Sequence, residues 1–246
     1  MSPMTVSLIV FACVFGGALF GMFLHATLPE HHLSSDSKDV VKMRMGLVGT
    51  MAALVLGLLV ASAKGSYDAQ GTELTQLSAN IALLDRVLAH YGPETKEARD
   101  LLRVDVARVI DRMWSKAGTS SAPGGEEGLY EKLQVLSPKD DKQRSLQAQA
   151  LNIAITLSQT RWSMYEQGTT SVSVPLVVIL VFWLTLILSS FGLFAPANGT
   201  VIASLCVCAL SVSAAILLIL EMYSPYSGLI QVSSAPLRAA LAHLGQ

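Results

Sequence analysis

The side chains best suited to holding a metal ion follow the first long apolar segment of the chain. His25, Glu30, His31 and His32 lie close together there. Imidazole and carboxylate groups are common zinc ligands, but this spacing matches none of the usual ligand patterns. We therefore interpret the group as a polar loop, with a metal site as the alternative. We expect no bound metal and no cofactor.

The candidate nucleophiles also lack a neighbouring base or metal ligand in the sequence. Cys13, Cys206 and Cys208 all lie inside apolar segments, and the Cys-x-Cys pair lacks the spacing of a zinc or redox site. No serine, threonine or cysteine is placed beside a base in a recognisable pattern, so we predict no catalytic residues and no enzymatic activity. Asn198-Gly199-Thr200 fits a glycosylation acceptor, but its position between two apolar segments favours a plain turn.

The composition indicates a membrane protein with one soluble region. Of the 246 residues 52% are hydrophobic and only 14% are charged, against about 25% charged in typical soluble domains. Most of the charged residues lie between positions 68 and 166. The net charge of −1 gives no basic field for nucleic acid, so we expect no nucleic-acid partner.

Four segments have the length of about 20 apolar residues that a helix needs to cross a bilayer. They cover residues 5–28, 46–63, 175–194 and 200–220, and none contains Asp, Glu, Lys or Arg. The first is too long for a secretory signal and no cleavage site follows it, which favours a retained span. Basic residues near the span ends are almost equally divided between the two sides, so charge leaves the orientation open.

The predicted organisation has membrane helices in 1–63, a soluble helical insert in 64–174, a membrane hairpin in 175–220 and a tail in 221–246. Helical spacing within the insert gives three apolar stripes, which together predict a helical bundle. The fold class is therefore an all-α integral membrane protein with a helical bundle between its second and third spans. The three stripes are Leu74, Leu77, Ile81, Leu84 and Leu88; Leu102, Val106, Val109 and Met113; and Leu146, Ala150, Ile153, Leu157 and Met164.

Local signals add three expectations about the helices of the insert. We expect one helix to continue from the second span through Gly65 and Gly71, because no proline intervenes. Gly92 and the proline after it should end that helix. Ser137 is the predicted N-cap of the third insert helix, with Pro138 in its first turn.

The second span offers two sides with different side chains. Small residues lie along one side, and Leu47, Met51, Leu54 and Leu58 lie along the other. In one interpretation the small side packs on neighbouring helices and the bulky side meets lipid. In the other, several copies surround an axis and the apolar side chains form a constriction that gates by dewetting. The residues alone favour the first. The small side consists of Gly46, Gly49, Thr50, Ala53, Gly57 and Ala61, and ends at Lys64.

The fourth span ends at a carboxylate, Glu221, and a turn around Pro225, Tyr226 and Gly228 follows. We interpret Glu221 as an interfacial group solvated by headgroups and water. The alternative is a carboxylate that binds a cation or caps a neighbouring helix. Ser234 is the predicted cap of a last short helix, with Pro236 in its first turn.

Two segments resemble the bacterial bestrophin-like family of membrane proteins. Residues 46–88 resemble its second-span region and read GLVGTMAALVLGLLVASAKGSYDAQGTELTQLSANIALLDRVL. Residues 221–241 resemble the segment that closes its domain and read EMYSPYSGLIQVSSAPLRAAL. Bestrophins are homopentameric anion channels with cytosolic termini, and their second span lines the pore. The resemblance therefore implies a self-associating channel for small ions in the bacterial inner membrane, with a cytosolic insert and cytosolic termini.

The resemblance also assigns residues. It makes Thr50, Leu54 and Leu58 the candidates for the pore constriction. Bestrophins carry a calcium-binding acidic run after the Pro-aromatic-Gly turn, whereas this chain has LIQVSS there, so calcium gating is not expected. Anions are only slightly favoured, because the aromatic neck of the animal proteins is absent. The alternative function is a non-conducting membrane scaffold or sensor whose insert binds a cytosolic partner.

The apolar residues of the tail need a surface to cover them. Leu237, Leu241 and Leu244 share one side of the predicted last helix, and they can pack either on the chain's own insert or on a neighbouring subunit. We expect the neighbouring subunit.

Overall fold

The computed structural model describes residues 2–27, 35–114, 127–169, 173–196 and 198–245, and every regular element in these ranges is helical. The chain therefore has the predicted all-α fold. A short 3₁₀ turn, Pro93–Thr95, separates the second and third helices. The helices are α1 (Pro3–Thr27), α2 (Ser35–Tyr91), α3 (Lys96–Met113), α4 (Glu127–Val135), α5 (Asp141–Thr169), α6 (Val174–Phe194), α7 (Gly199–Met222) and α8 (Ala235–His243).

Four of the helices are long and apolar enough to cross a membrane: α1, α2, α6 and α7. Each of the four predicted apolar segments thus lies in a long helix. Pro175 lies in the first turn of α6, where a missing N–H costs nothing. The Asn198 side chain accepts a hydrogen bond from the Val201 N–H at 3.0 Å and so caps α7. The Asn-Gly-Thr sequence is thus the N-terminus of a helix, as the turn interpretation predicted.

Helix α2 is a single helix through Gly65 and Gly71, as predicted. It ends where Gly92 takes a φ of 138°, a backbone conformation that L side chains rarely adopt. The Thr95 hydroxyl donates to the Leu88 carbonyl at 2.6 Å and to the Gly92 carbonyl at 2.8 Å. These bonds satisfy carbonyls that the end of a helix would otherwise leave unpaired.

The chain forms two compact units. The first, the membrane unit, contains Met1–Gly65 and Ser171–Tyr223. The second, the helical unit, contains Ser66–Thr170 and Ser224–Gln246. Helix α2 contributes to both units.

Small residues bring α1 and α6 together in the membrane unit. A Cβ on Gly21 would collide with the Ser189 carbonyl, and one on Gly192 would collide with the Ala18 carbonyl. Without a hydrophobic driving force between helices in lipid, such close approach supplies the packing energy. Ser7 and Ser213 join α1 to α7, with their hydroxyl oxygens 2.7 Å apart and each hydroxyl close to the other residue's carbonyl.

A leucine-rich core holds the helical unit together. The stripes predicted on α2, α3 and α5 all contribute to it, and α4 adds Leu129 and Leu133. In the second half of α3 the buried apolar residue after Val106 is Ile110, whereas Val109 and Met113 are partly exposed. The buried side of α3 is therefore rotated slightly from the predicted stripe. The core also contains Leu74, Leu77, Ile81, Leu84, Leu88, Leu102, Val106, Ala150, Ile153, Leu157, Met164, Leu237 and Leu244.

The start of α5 differs from the prediction. Its N-terminal cap is Asp140, whose carboxylate accepts the Gln143 N–H at 2.6 Å, while the Gln143 side chain accepts the Lys139 N–H at 2.8 Å. Ser137 therefore does not cap α5. The prediction also missed α4. The Gln147 side chain donates to the Leu133 carbonyl in its last turn and to the Leu136 carbonyl just after it. With α4 ending at Val135, Ser137 falls in the connection between two helices.

The tail packs on its own chain. Leu237 and Leu244 are buried in the core of the helical unit, so the expectation of a neighbouring subunit as their partner is wrong. The Gly245 N–H donates to Asp85 at 3.2 Å. Asp85 also forms a two-point ion pair with Arg99, at 2.7 and 2.9 Å. The chain's own helical unit therefore covers these apolar side chains of the tail.

Candidate functional site

Of the predicted polar group after the first span, only His25 lies within the described residues. The His25 ring Nδ1 lies 2.8 Å from the Leu193 carbonyl and so joins α1 to α6. Glu30, His31 and His32 lie outside the described residues. Within the described ranges, no group of three His, Cys, Asp or Glu residues could hold a metal ion.

Helix α2 packs against the rest of the membrane unit through one side. Ala52, Leu59 and Ala63 are buried there, and near the end of the unit Ser62 shares a hydrogen bond of 3.0 Å with the Tyr223 hydroxyl. The spacing of seven and then four residues places the three buried side chains on one side of the helix. Sequence reasoning missed this side, because α2 is apolar all round and periodicity gives no signal there.

The predicted pore residues lie on the opposite side of α2. Thr50, Leu54 and Leu58 are all exposed, with Leu54 at 75% and Leu58 at 63% of their maximal accessible area. Leu47 continues the same exposed line towards the start of the helix. The structure thus brings the three predicted residues together on one face, and the rest of the membrane unit leaves that face uncovered.

The small residues beside this face are also uncovered. A Cβ added to Gly46, Gly49 or Gly57 would meet nothing within 4 Å. The interpretation in which these glycines let α2 pack on its neighbours is therefore not realised within the chain. We refer to the side formed by Gly46, Thr50, Leu54, Gly57 and Leu58 as the open face of α2.

Thr50 is the only hydroxyl-bearing residue among the predicted pore residues. Its hydroxyl donates to the Leu47 carbonyl one turn earlier, at 2.8 Å. As long as this hydrogen bond is formed, the Thr50 hydroxyl proton is not available to another acceptor. The centre of the open face therefore presents mainly hydrocarbon.

Glu221, at the end of α7, is buried in the membrane unit with 4% of its area exposed. The interpretation of this residue as a carboxylate solvated by headgroups and water is therefore wrong. A buried carboxylate needs a hydrogen-bond or ion-pair partner, so burial favours the alternative roles, ion binding or helix capping.

The turn after α7 belongs to the helical unit. The Ser227 N–H donates to Ser224 at 3.1 Å, and the Val232 N–H donates to the Pro225 carbonyl at 2.8 Å. Gly228 has a φ of 94°, in the region that favours glycine. The turn is thus closed by backbone bonds and requires its glycine.

Trp114, which the sequence analysis did not single out, contacts this turn at two points. The Trp114 indole N–H donates to the Val232 carbonyl at 3.0 Å, and the Trp114 ring meets Tyr226 edge to face at 5.6 Å. Burial of the Tyr226 hydroxyl, together with the charge of Glu73, raises the pKa of this phenol. It therefore remains protonated at neutral pH.

Comparison with known families gives a match that covers nearly the whole chain. The model of the Bestrophin-like domain matches residues 12–237. This range includes the open face of α2, the turn after α7 and the start of α8. No curated protein and no solved structure gives a significant match. The chain therefore belongs to the family defined by the Bestrophin-like domain.

Proposed function

We propose that the protein is a homo-oligomeric channel for small ions, with α2 of each copy lining a central pore and anions slightly favoured. The proposal places it in a bacterial inner membrane, with the helical insert and both termini in the cytosol. Thr50, Leu54 and Leu58 form the constriction. A pentamer is the assembly that the relation to bestrophins favours.

The observation that carries the proposal is the division of α2 into a packed side and an open face. Ala52, Leu59 and Ala63 fix the helix to its own unit, while Leu54 and Leu58 point away from it. In an assembly about a central axis, that arrangement directs the open face inward. Gly57 and its small neighbours would let adjacent copies of α2 approach closely. Membership of the Bestrophin-like family favours this assembly over simple exposure to lipid.

The constriction would work by excluding water. Leu54 and Leu58 are one helical turn apart, so copies around an axis would form two successive apolar rings. A narrow hydrocarbon ring dewets and blocks ions until it widens. Residues 45–63 contain no charged side chain, and with no charged ring in this segment we expect only a slight preference for one sign of ion.

Ion flux from liposomes that contain the purified protein tests this proposal. Chloride and potassium are measured separately for the natural sequence, Leu54→Ala and Leu58→Ala. We expect chloride flux, and a several-fold increase in both variants because each widens one apolar ring. The matched control is Leu210→Ala on α7, which removes the same atoms from another exposed membrane position and should leave the flux unchanged.

Three other outcomes have distinct meanings. Potassium selectivity would keep the channel and reject the anion preference. Equal effects of Leu54→Ala and Leu210→Ala would reject α2 as the pore lining. No flux from folded oligomers of any variant would reject the channel itself.

The second candidate function is a non-conducting scaffold or sensor. One feature of the helical unit favours it: Val104, Val135 and Trp162 are exposed large apolar side chains on helices outside the membrane spans. Apolar residues of this kind often mark protein contacts when they form a contiguous patch. The scaffold becomes the better explanation if no variant shows ion flux.

A further inference from the structure

The core of the helical unit contains a small cavity. Its volume is about 40 Å³, whereas a single water molecule needs only about 10–15 Å³. Side chains from five helices line it: α2, α3, α4, α5 and the tail helix α8. Close-packed protein interiors contain few spaces larger than a water molecule, so this cavity is a distinct feature of the core.

The lining of the cavity is almost entirely hydrocarbon. Eight of the ten lining residues are leucine, isoleucine or valine. A buried water molecule typically makes about three hydrogen bonds to protein groups, and these side chains offer none. The lining therefore favours an apolar occupant over water. The apolar residues include Leu77, Ile81, Leu102, Val106, Leu157 and Leu237, all of which belong to the buried core.

Two charged residues, Asp105 and Arg161, complete the lining. The Arg108 guanidinium donates to the Asp105 carboxylate at 2.7 Å, so the charge of Asp105 is already paired. Arg161 is also held by an interaction within the chain. The cavity therefore has no need of a charged ligand. Arg161 and Val109 are partly exposed, which brings one end of the cavity close to the surface and gives a small molecule a way in.

We propose that the cavity is a binding site for a small uncharged apolar molecule of about the size of a xenon atom. Apolar cavities in protein cores stay dry and accept ligands of this kind. Sites for drug-sized ligands have volumes of about 300–1,000 Å³, so the ligand of this much smaller cavity must itself be small.

The position of the cavity connects its occupant with the tail. Leu237 of α8 is fully buried and lines the cavity together with residues of α2, α3 and α5. A bound molecule would therefore contact the tail helix and the bundle at the same time. Because a ligand that binds only the packed state stabilises it, occupancy would hold α8 on the bundle. The cavity lies wholly within the helical unit, so the proposal is independent of ion conduction.

Xenon is the probe that tests the site, in the full-length protein in detergent. The methyl groups of leucine and valine are isotopically labelled, and their NMR signals are followed as the xenon pressure rises. We expect saturable shifts of the Leu157 and Leu237 methyl signals, because a site for one molecule fills. The exposed side chains of Val104 and Val135 are the internal control, and their signals should not saturate. Amide hydrogen exchange in α8 should slow several-fold at saturating xenon.

Two variants change the volume of the cavity in opposite directions. Val106→Ile adds a methylene group inside it and should raise the xenon pressure for half saturation at least several-fold. The matched control, Val104→Ile, adds the same group at an exposed position and should leave that pressure unchanged. Ile81→Val covers the case in which Val106→Ile does not fold. It enlarges the cavity, so half saturation should come at a lower xenon pressure.

Three results would overturn the proposal. Shifts of the lining methyl signals that never saturate would show that the cavity does not bind xenon. A half-saturation pressure that stays the same in Val106→Ile and in Ile81→Val would show that xenon binds elsewhere. Saturation of the site without slower exchange in α8 would reject the connection with the tail.

Discussion

The helices within the membrane unit and those within the helical unit pack by different means. In the membrane unit, α1 meets α6 where Gly21 and Gly192 let the backbones touch. In the helical unit, large side chains such as Leu74, Leu84 and Leu133 fill the core. The difference follows from the solvent. Burial from water rewards large apolar side chains, whereas in lipid helices associate through close packing and hydrogen bonds.

Helix α2 contributes residues to the cores of both units. Its Leu74 and Leu84 belong to the leucine core of the helical unit, and its Ala52 and Ala63 belong to the core of the membrane unit. Its glycines at 46, 49 and 57 belong to neither core, because a Cβ added to any of them would meet nothing within 4 Å. Small residues on a membrane helix therefore do not by themselves indicate a contact within the chain.

The largest effect is expected from breaking the buried ion pair of the helical unit. Arg99→Met would leave the Asp85 carboxylate buried without its partner, at a cost of about 3–5 kcal/mol in the free energy of unfolding. The control Arg144→Met breaks the exposed pair with Asp141 and should cost less than about 1 kcal/mol. Chemical denaturation measures both. Equal losses would show that the buried pair is no stronger than a surface pair.

The same pair predicts a pH dependence. Burial raises the pKa of the Asp85 carboxyl, but bonds from Arg99 and from the Gly245 N–H outweigh burial, and the net pKa is lowered. The stabilisation by this pair is therefore fully present above the pKa of Asp85 in the unfolded chain, about 3.9. It is lost as the pH falls through the lower pKa of Asp85 in the folded chain.

Asp85→Asn makes this pH dependence measurable. The variant should unfold at a lower temperature than the natural sequence at pH 7, and the gap should narrow as the pH falls below about 4. Thermal unfolding between pH 7 and pH 3 provides the measurement. A gap that stays constant over this range would contradict the role of the charge.

An intermediate effect is expected at the seam of the membrane unit. Gly21→Ala places a methyl group against the Ser189 backbone, which cannot yield as a flexible side chain can. Overpacking of this kind costs about 1–3 kcal/mol. Gly16→Ala on the same helix meets nothing within 4 Å and serves as the control. Thermal unfolding in detergent compares the two, and a Gly16→Ala loss as large as that of Gly21→Ala would reject the close contact.

The smallest effect on the single chain is expected on the open face of α2. Gly57→Leu adds a side chain where the unit has open space, so the unfolding free energy should change by less than about 1 kcal/mol. If copies of α2 surround an axis, the same change should nevertheless reduce the fraction of oligomer. Native mass spectrometry would show this, with Gly16→Leu on α1 as the control. An unchanged oligomer would argue against contacts at Gly57.

Much of the architecture could be predicted because it depends on residue patterns within single segments. Long apolar runs predicted the four spans, and the 3- and 4-residue spacing of leucines predicted the buried sides of α2 and α5. Gly92 followed by Pro93 predicted the end of α2. The start of α5 was misplaced because Ser137 and Asp140 are both good caps, and only the bond to Gln143 distinguishes them.

The candidate sites were less accessible to such reasoning. Thr50, Leu54 and Leu58 share a face by helical geometry, but their exposure depends on which other side of α2 is packed. No pattern in an all-apolar helix indicates that side. The pairing of Asp85 with Arg99 and the contact of Trp114 with Tyr226 join residues from separate elements, and a single sequence carries no signal for either.

The sequence by itself determined the all-helical membrane class, the continuity of α2 and the similarity to the Bestrophin-like domain family. Each of these depends on composition, on spacing along one helix or on motifs within one segment. Only the tertiary structure decided that the tail packs on its own bundle, that Glu221 is buried and that α2 keeps an open face. Each of these depends on which surfaces meet, and the free energy of that choice is shared among residues far apart in the chain.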